Sequence, residues 1–386
     1  MSQVLSVSRT EPGCYPSISA ALMEAGKGGT VVIQPGTYHE RLRLPDGVTL
    51  VAEDGRGTVT VDGGDEVAAF VGGGHVTLRG VVLIGGGESF PVVQVSGGVL
   101  EIIEGEVTAR GIVAIHARGG ELRMRGCRVG SPDGAAFLFE GDATGHVQGT
   151  TVDGTGRGAV IITGEARPAF QGCTFTDIRG PGVLSSAPGG RFDRCEIGPV
   201  DGPGVVVEAA GAVELRKTTI RDTTGAGAAV AGGRPLFQEC VIRATGGHGV
   251  AVAGDAAPVL RDCTIESAAG FGLHLTGAAQ VTVTRCSVSE AGWGGLSATE
   301  RVAITTKGGS FTAQAGQTSL LFSGEARGTL QGTSVHGGTD GMAVQDSATV
   351  QTEQMVVAGT TEVAVRVTGG PCRCRTSAPR AAGRPR

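Results

Sequence analysis

Two stretches of this chain, PLFQECVIRATGGHGVAVAG (235–254) and PVLRDCTIESAAGFGLHLTG (258–277), are almost one line written twice. Each opens on proline, carries a cysteine at its sixth place and then runs into Gly-x-Gly-apolar-x-apolar. Aligning on that cysteine extends the repeat through Cys127, Thr150, Cys173, Cys195, Thr218, Cys240, Cys263 and Cys286, at steps of 22 or 23 residues. Three residues before it stand Met124, Val147, Phe170, Phe192, Leu215, Phe237, Leu260 and Val283. Two residues after it stand Val129, Val152, Phe175, Ile197, Ile220, Ile242, Ile265 and Val288. Every residue in both columns is apolar.

A period this short leaves no room for a helical hairpin, and the Leu/Asn skeleton of leucine-rich repeats is absent. Short β-runs between Gly-rich corners predict a parallel β-solenoid whose turns stack about 4.8 Å apart, each column becoming an internal ladder. The pattern predicts about fourteen turns, the first and last few irregular. The cysteine is then a small, weakly polar residue stacked inside a tight corner, where threonine replaces it twice. Thiols in a line at one-turn spacing do not converge on a point, so no metal site is expected. No cofactor is expected either.

Composition agrees with this reading. Glycine accounts for 69 of 386 residues and aromatics for only 4%, with one tryptophan and two tyrosines, which argues against a core built around aromatics. The net charge of −5 is spread along the chain, and no basic stripe with interleaved aromatics marks a nucleic-acid partner. The opening MSQVLSVSRTEPG has no signal-peptide pattern, and no apolar run reaches the ~18 residues of a membrane span. A cytoplasmic protein is expected, and the odd count of nine cysteines fits reduced thiols.

With repeat and opening together, the chain resembles the right-handed parallel β-helix, or pectate-lyase-like, superfamily. The opening YPSISAALMEAGKGGTVVIQPGTYHERLRLPDGVTLVAEDG (15–55) places Ile18, Ala21, Leu22 and Ala25 on one face of a short helix ahead of GGTVVIQPGTY. The expected fold is all-β: a single-stranded right-handed parallel β-helix with a short N-terminal capping α-helix. The expected division is 1–29 for the N-terminal segment and cap, 30–370 for the β-helix, and 371–386 for a disordered Arg/Pro-rich tail. The tail shows no cap, so self-association or a partner is expected at that end. No G-x-x-x-x-G-K-[ST] stretch occurs, and no ATPase is expected.

The resemblance implies that chemistry, where present, sits on the outer face of the strand after the Gly-x-Gly corner and in the loops beside it. Period-2 alternation puts Leu138, Ile161, Leu184, Val206, Ala229, Ala251, His274 and Ser297 outward on that strand. A calcium-dependent uronate lyase would need carboxylates there with an arginine base nearby, and this column is mostly aliphatic. The stretch GTYHE (36–40) resembles a pectin-esterase opening, but the aspartates that should follow have no counterpart. Unless a loop covers it, the aliphatic column marks an interaction surface.

A second column, Pro181, Pro203, Ala226, His248, Phe271 and Trp293, ends in three rings, expected as a flat row about 4.8 Å apart. His248, Phe271, His274 and Trp293 are therefore candidate binding residues, together with Leu138, Ile161, Leu184 and Val206. The plainer reading is that the rings shield corner glycines. Asp153, Asp177, Asp201 and Asp222, with Arg179 nearby, stand in corner loops where carboxylates on adjacent turns are ordinary turn residues. Asp177, Asp201, Asp222 and His274 are the catalytic candidates. His116 and His146 read as surface residues. The function expected is a non-catalytic binding or scaffold module recognising a protein partner or ligand along that face. The alternative is a carbohydrate-active lyase, hydrolase or epimerase working in the groove beside it.

Overall fold

The computed structural model describes residues 3–369 and 371–375. The coil predicted by the repeat is present: a strand in sheet A, a tight corner, a strand in sheet B, a wider corner and a strand in sheet C. In one coil these are Arg167–Gln171, Thr174–Arg179 and Val183–Ser185. Each strand pairs in parallel with the strand one coil on, as Phe170 with Phe192, Phe175 with Ile197 and Leu184 with Val206. The turns number about 16, at ~23 residues each. The repeat predicts fewer because the coils flanking the cysteine column hold Gly105, Gly309 or Thr333 at that corner.

The chain forms two compact units, Met1–Gly225 and Ala226–Arg386, each built from this same coil. Both apolar columns point inward in each unit and every member is buried. Of the 11 phenylalanines, eight (Phe137, Phe139, Phe170, Phe175, Phe192, Phe237, Phe311 and Phe322) are fully buried, so the few aromatics do line the interior.

The corner cysteines are hydrogen-bond donors. Cys127 Sγ lies 3.3 Å from the Ile102 carbonyl of the previous coil and 3.4 Å from that of Arg125; Cys263 repeats this with Phe237 and Arg261 at 3.4 and 3.2 Å. Thr218 Oγ1 donates to the equivalent carbonyls of Phe192 and Arg216, at 3.2 and 3.0 Å. Threonine can therefore replace cysteine because both are small donors that bond the same strand carbonyls, which also accept backbone N–H groups such as Glu104 to Arg125 and Arg194 to Arg216, both at 2.9 Å. The wider corner explains the second glycine of Gly-x-Gly. A Cβ on Gly227, Gly249 or Gly272 would stand 2.2, 2.3 or 2.1 Å from Ile242, Ile265 or Val288.

At the N-terminal end, helix α1 (Ile18–Glu24) buries Ile18, Ala21 and Leu22 as its periodicity predicts. The Ser17 side chain accepts from the Ala20 N–H at 3.1 Å. Glu40 accepts from the N–H groups of Ile18 and Ser19, both at 2.8 Å, so the GTYHE glutamate ties this helix end to the first coils. Parallel pairing begins ahead of α1, where Val4–Val7 runs beside Thr30–Ile33, inside the N-terminal segment expected before the β-helix. At the other end, Val356, Val363 and Val367 are exposed, and Cys372–Arg375 is a strand paired with Thr349–Glu353 where a disordered tail is expected. Residues 376–386 lie outside the described residues. Among the described residues, no helix is long and apolar enough to cross a membrane.

Candidate site on the outer face of sheet C

In the N-terminal unit, strand register sets one outward column on sheet C: Phe70, Gln94, His116, Leu138, Ile161, Leu184 and Val206. The four aliphatics are half-buried, each shielded in part by its neighbours in the column. Their inward companions, such as Phe139, Ile162 and Val183, are fully buried, so the alternation predicted from period 2 is the one observed.

His116 breaks the surface reading given to it. Its side chain is only 15% exposed, and Nε2 lies 3.1 Å from Glu140 Oε1, though out of line for a hydrogen bond. Arg118 Nε donates to the same Glu140 oxygen at 2.6 Å. Burial pulls the His116 pKa below the ordinary histidine value, and Glu140 opposes that pull only in part. The Arg118 hydrogen bond holds the Glu140 carboxyl below its usual range. A neutral imidazole beside a fixed carboxylate can accept a proton, the arrangement a general base needs. The sequence signal was available: Glu140 stands one coil on from Arg118, at the end of the strand opposite His116. His146, in contrast, is on the outer face of sheet A and exposed.

In the C-terminal unit the outward column runs Ala229, Ala251, His274, Ser297, Leu321 and Ala343. Ser297 is buried, the rest of the predicted stretch half-buried. Beside it four rings cluster, but not as a flat row. His248, Phe271 and His274 lie within 25° of parallel, with centroids 4.4 to 6.1 Å apart. Trp293 stands edge-on to them, at 78° to His248 and 87° to Phe271. The cause is register: Phe271 pairs with Gly294, so the indole falls one residue short of the column. The result is a corner of two aromatic walls, with Trp293 61% exposed.

His248 Nδ1 accepts the Phe271 N–H at 3.0 Å, which leaves the proton of the neutral ring on Nε2. A Cβ on Gly270 would stand 2.5 Å from that Nδ1, so this glycine makes room for the ring. Burial lowers the pKa of both histidines, and for His248 the neighbouring His274 lowers it further. His274 Nδ1 is buried without a hydrogen-bond partner.

The corner aspartates have a backbone explanation. Asp177 and Asp222 hold φ of 51°, and the same corner in the other unit holds Ala244, Ser267 and Glu290 at 52° to 54°. The left-handed bend therefore recurs whatever the side chain, and aspartate is among the residues that tolerate it. Asp201 accepts from the Thr224 hydroxyl at 3.0 Å and pairs in register with Arg179; Asp222 and Arg221 form an ion pair. Asp153 lies 3.7 Å from Arg128. These carboxylates are distributed along the corner of the N-terminal unit, whereas His274 stands on the C-terminal one. Among the described residues, no group of three or more His, Cys, Asp or Glu side chains is placed to hold a metal ion.

No curated protein matches the chain in sequence. Among solved structures, it is similar to the mannuronan C-5 epimerase AlgE4 A-module of Azotobacter vinelandii, at 14% identity over 93% of each chain and a TM-score of 0.39. It is also similar to the periplasmic alginate epimerase AlgG, at 10% identity over 76% of this chain and 78% of that one, TM-score 0.48. Pectin methylesterase PemA of Erwinia chrysanthemi is similar at 11% identity over 57% and 79%, TM-score 0.38. The family model for the right handed beta helix region matches residues 110–258 and 203–376, which together span more than half of the sequence. The chain belongs to the right-handed β-helix family.

Proposed function

We propose that this chain is a binding module that engages a partner or ligand along the outer face of sheet C without converting it. The observation that carries this reading is the in-register column Leu138, Ile161, Leu184 and Val206, four half-buried aliphatics on successive turns. A continuous apolar stripe gains free energy when a partner covers it, and it supplies neither a nucleophile nor a proton acceptor. The exposed Trp293 and its perpendicular ring neighbours support a ligand contact on the C-terminal unit as well. The corner cysteines form no disulfide among the described residues, which favours a reducing compartment and supports a cytoplasmic protein.

The test is a titration with neutral and acidic oligosaccharides, with and without calcium, following Trp293 emission while the same mixtures are assayed for products. Saturable binding without product supports the module. Product formation that is lost in Asp177→Asn, Asp201→Asn, Asp222→Asn or His274→Ala replaces it with an enzyme. If the panel is silent, the stripe is tested with candidate protein partners, whose binding Ile161→Arg or Leu184→Arg must abolish.

A second reading, a carbohydrate-active enzyme, is favoured by one observation: the half-buried His116 held beside Glu140 and Arg118 on the same face. Turnover that disappears in His116→Ala, with folding intact, decides for it.

A further inference from the structure

On the N-terminal unit, the outer face of sheet A carries a groove that the reading above leaves unused. Its cavity measures about 380 Å³. Strand register aligns Arg123, His146, Ala169 and Arg191 in one column across four successive strands. Beside them run Arg125, Gln148, Gln171 and Asp193. Ala169 has the shortest side chain in its column and leaves a notch, floored by the strands whose Met124, Val147 and Phe170 point into the core.

The charges are unevenly matched. Arg123 is held by Glu121 through two hydrogen bonds, at 2.9 and 2.7 Å. Asp193 is engaged by Arg194 at 2.8 Å, and Glu101 accepts from the Thr77 hydroxyl at 3.5 Å. Arg125 and Arg191 are exposed and form no ion pair among the described residues. The groove thus has a free guanidinium near each end, on strands three spacings or about 14 Å apart across the sheet and offset by two residues, about 7 Å, along the strands, with two glutamine amides between them.

We propose that this groove docks an extended acidic peptide segment of a protein partner. In an extended chain, side chains four residues apart lie on one face about 14 Å from each other, so in a segment crossing the strands obliquely two carboxylates come within reach of the long, exposed side chains of Arg125 and Arg191 together. Guanidinium–carboxylate contacts are charge-assisted and directional. Gln148 and Gln171 each both donate and accept, as a peptide group does, and so match the backbone between the two acids. The one exposed ring in the lining is the His146 imidazole, beside Glu121, and no phenylalanine, tyrosine or tryptophan ring is exposed there to stack a sugar.

The experiment is fluorescence anisotropy of a fluorescein-labelled serine peptide carrying glutamate at every fourth residue, with the full chain. Saturable binding is expected, weakened about tenfold or more by Arg125→Glu with Arg191→Glu, and also weakened on raising salt from ~50 to ~300 mM. Ala169→Tyr, which fills the notch without changing charge, is expected to block binding while circular dichroism and Tm confirm the fold. Ile161→Arg, on sheet C, is expected to leave binding unchanged, so the two surfaces stand or fall separately. The proposal is overturned if wild type does not bind, if the double charge reversal or Ala169→Tyr binds as wild type does, or if an acidic oligosaccharide of equal charge displaces the peptide.

Discussion

The two compact units place their ring clusters differently on one coil. In the N-terminal unit the ring cluster is inside: Phe170 stacks on Phe192 at 4.9 Å and meets Phe137, Phe139 and Phe175 edge-on, while the outer face of sheet C shows aliphatics on the four coils from Leu138 to Val206. In the C-terminal unit a ring cluster is outside, with His248, Phe271, His274 and Trp293 gathered over a stretch whose inward positions are Leu273, Leu275 and Leu296. Buried rings stabilise a fold through area removed from water and close packing; exposed rings add little to stability and are available to a ligand. The same residue types thus pack the interior of both units and, in the C-terminal unit, also form an outer cluster, according to which side of the strand they occupy.

The sharpest way to break this contrast is Phe170→Ala, which removes the centre of the buried ring cluster and should destabilise by about 3–5 kcal/mol in denaturant unfolding. Trp293→Ala should change stability by less than about 1 kcal/mol, as exposed positions usually do. Equal losses would end the distinction.

Next in size is the corner ladder, where the two units should agree. Cys263→Val removes the thiol's bonds to the Phe237 and Arg261 carbonyls, the second of which keeps the Glu239 N–H at 2.9 Å, and should lower stability by about 0.5–1.5 kcal/mol. Cys263→Thr should stay within about 1 kcal/mol of wild type, since Thr218 already fills the equivalent place in the other unit. The hydrogen bond shared with Cys240, together with burial, pushes the Cys263 thiol up to about 12. Native protein should therefore show no labelling of the buried thiols by an alkylating reagent at neutral pH, and full labelling once unfolded.

The smallest effect is on pH. His248 and His274 titrate below the usual 6.5, so above that value both are neutral and their contribution to stability is complete. As pH falls below 6.5 the unfolded chain takes up protons before the folded one, and that contribution is lost progressively down to the folded pKa values. Trp293 emission should quench over the same acidic window as imidazolium forms beside the indole. A quench that persists in the His248→Gln/His274→Gln variant would place its origin elsewhere.

Architecture was legible in the sequence because a solenoid repeats its environment. Each inward position of one coil lies against the same position of the next, so identical physical demands produce columns that can be read without coordinates. The cysteine–threonine alternation, the second glycine of Gly-x-Gly and the apolar face of α1 are all of this kind. Glu40 was harder to read: the N–H donors it accepts from sit 22 and 21 residues away, on a helix that occurs once.

The candidate sites divide along the same line. That Leu138, Ile161, Leu184 and Val206 share an outward face follows from alternation and period alone. That His116 meets Glu140, that Trp293 turns edge-on to Phe271, and that Arg125 and Arg191 remain unpaired above an alanine notch depended on the tertiary structure. Each of these arises from a local departure: a one-residue slip of register, a side chain reaching across a strand end, or an ion pair taken up elsewhere. Repetition determines where the backbone goes, and for that reason sequence suffices for it. The contacts made by particular side chains on the outer faces are unique to their coils, so only the folded arrangement decides them.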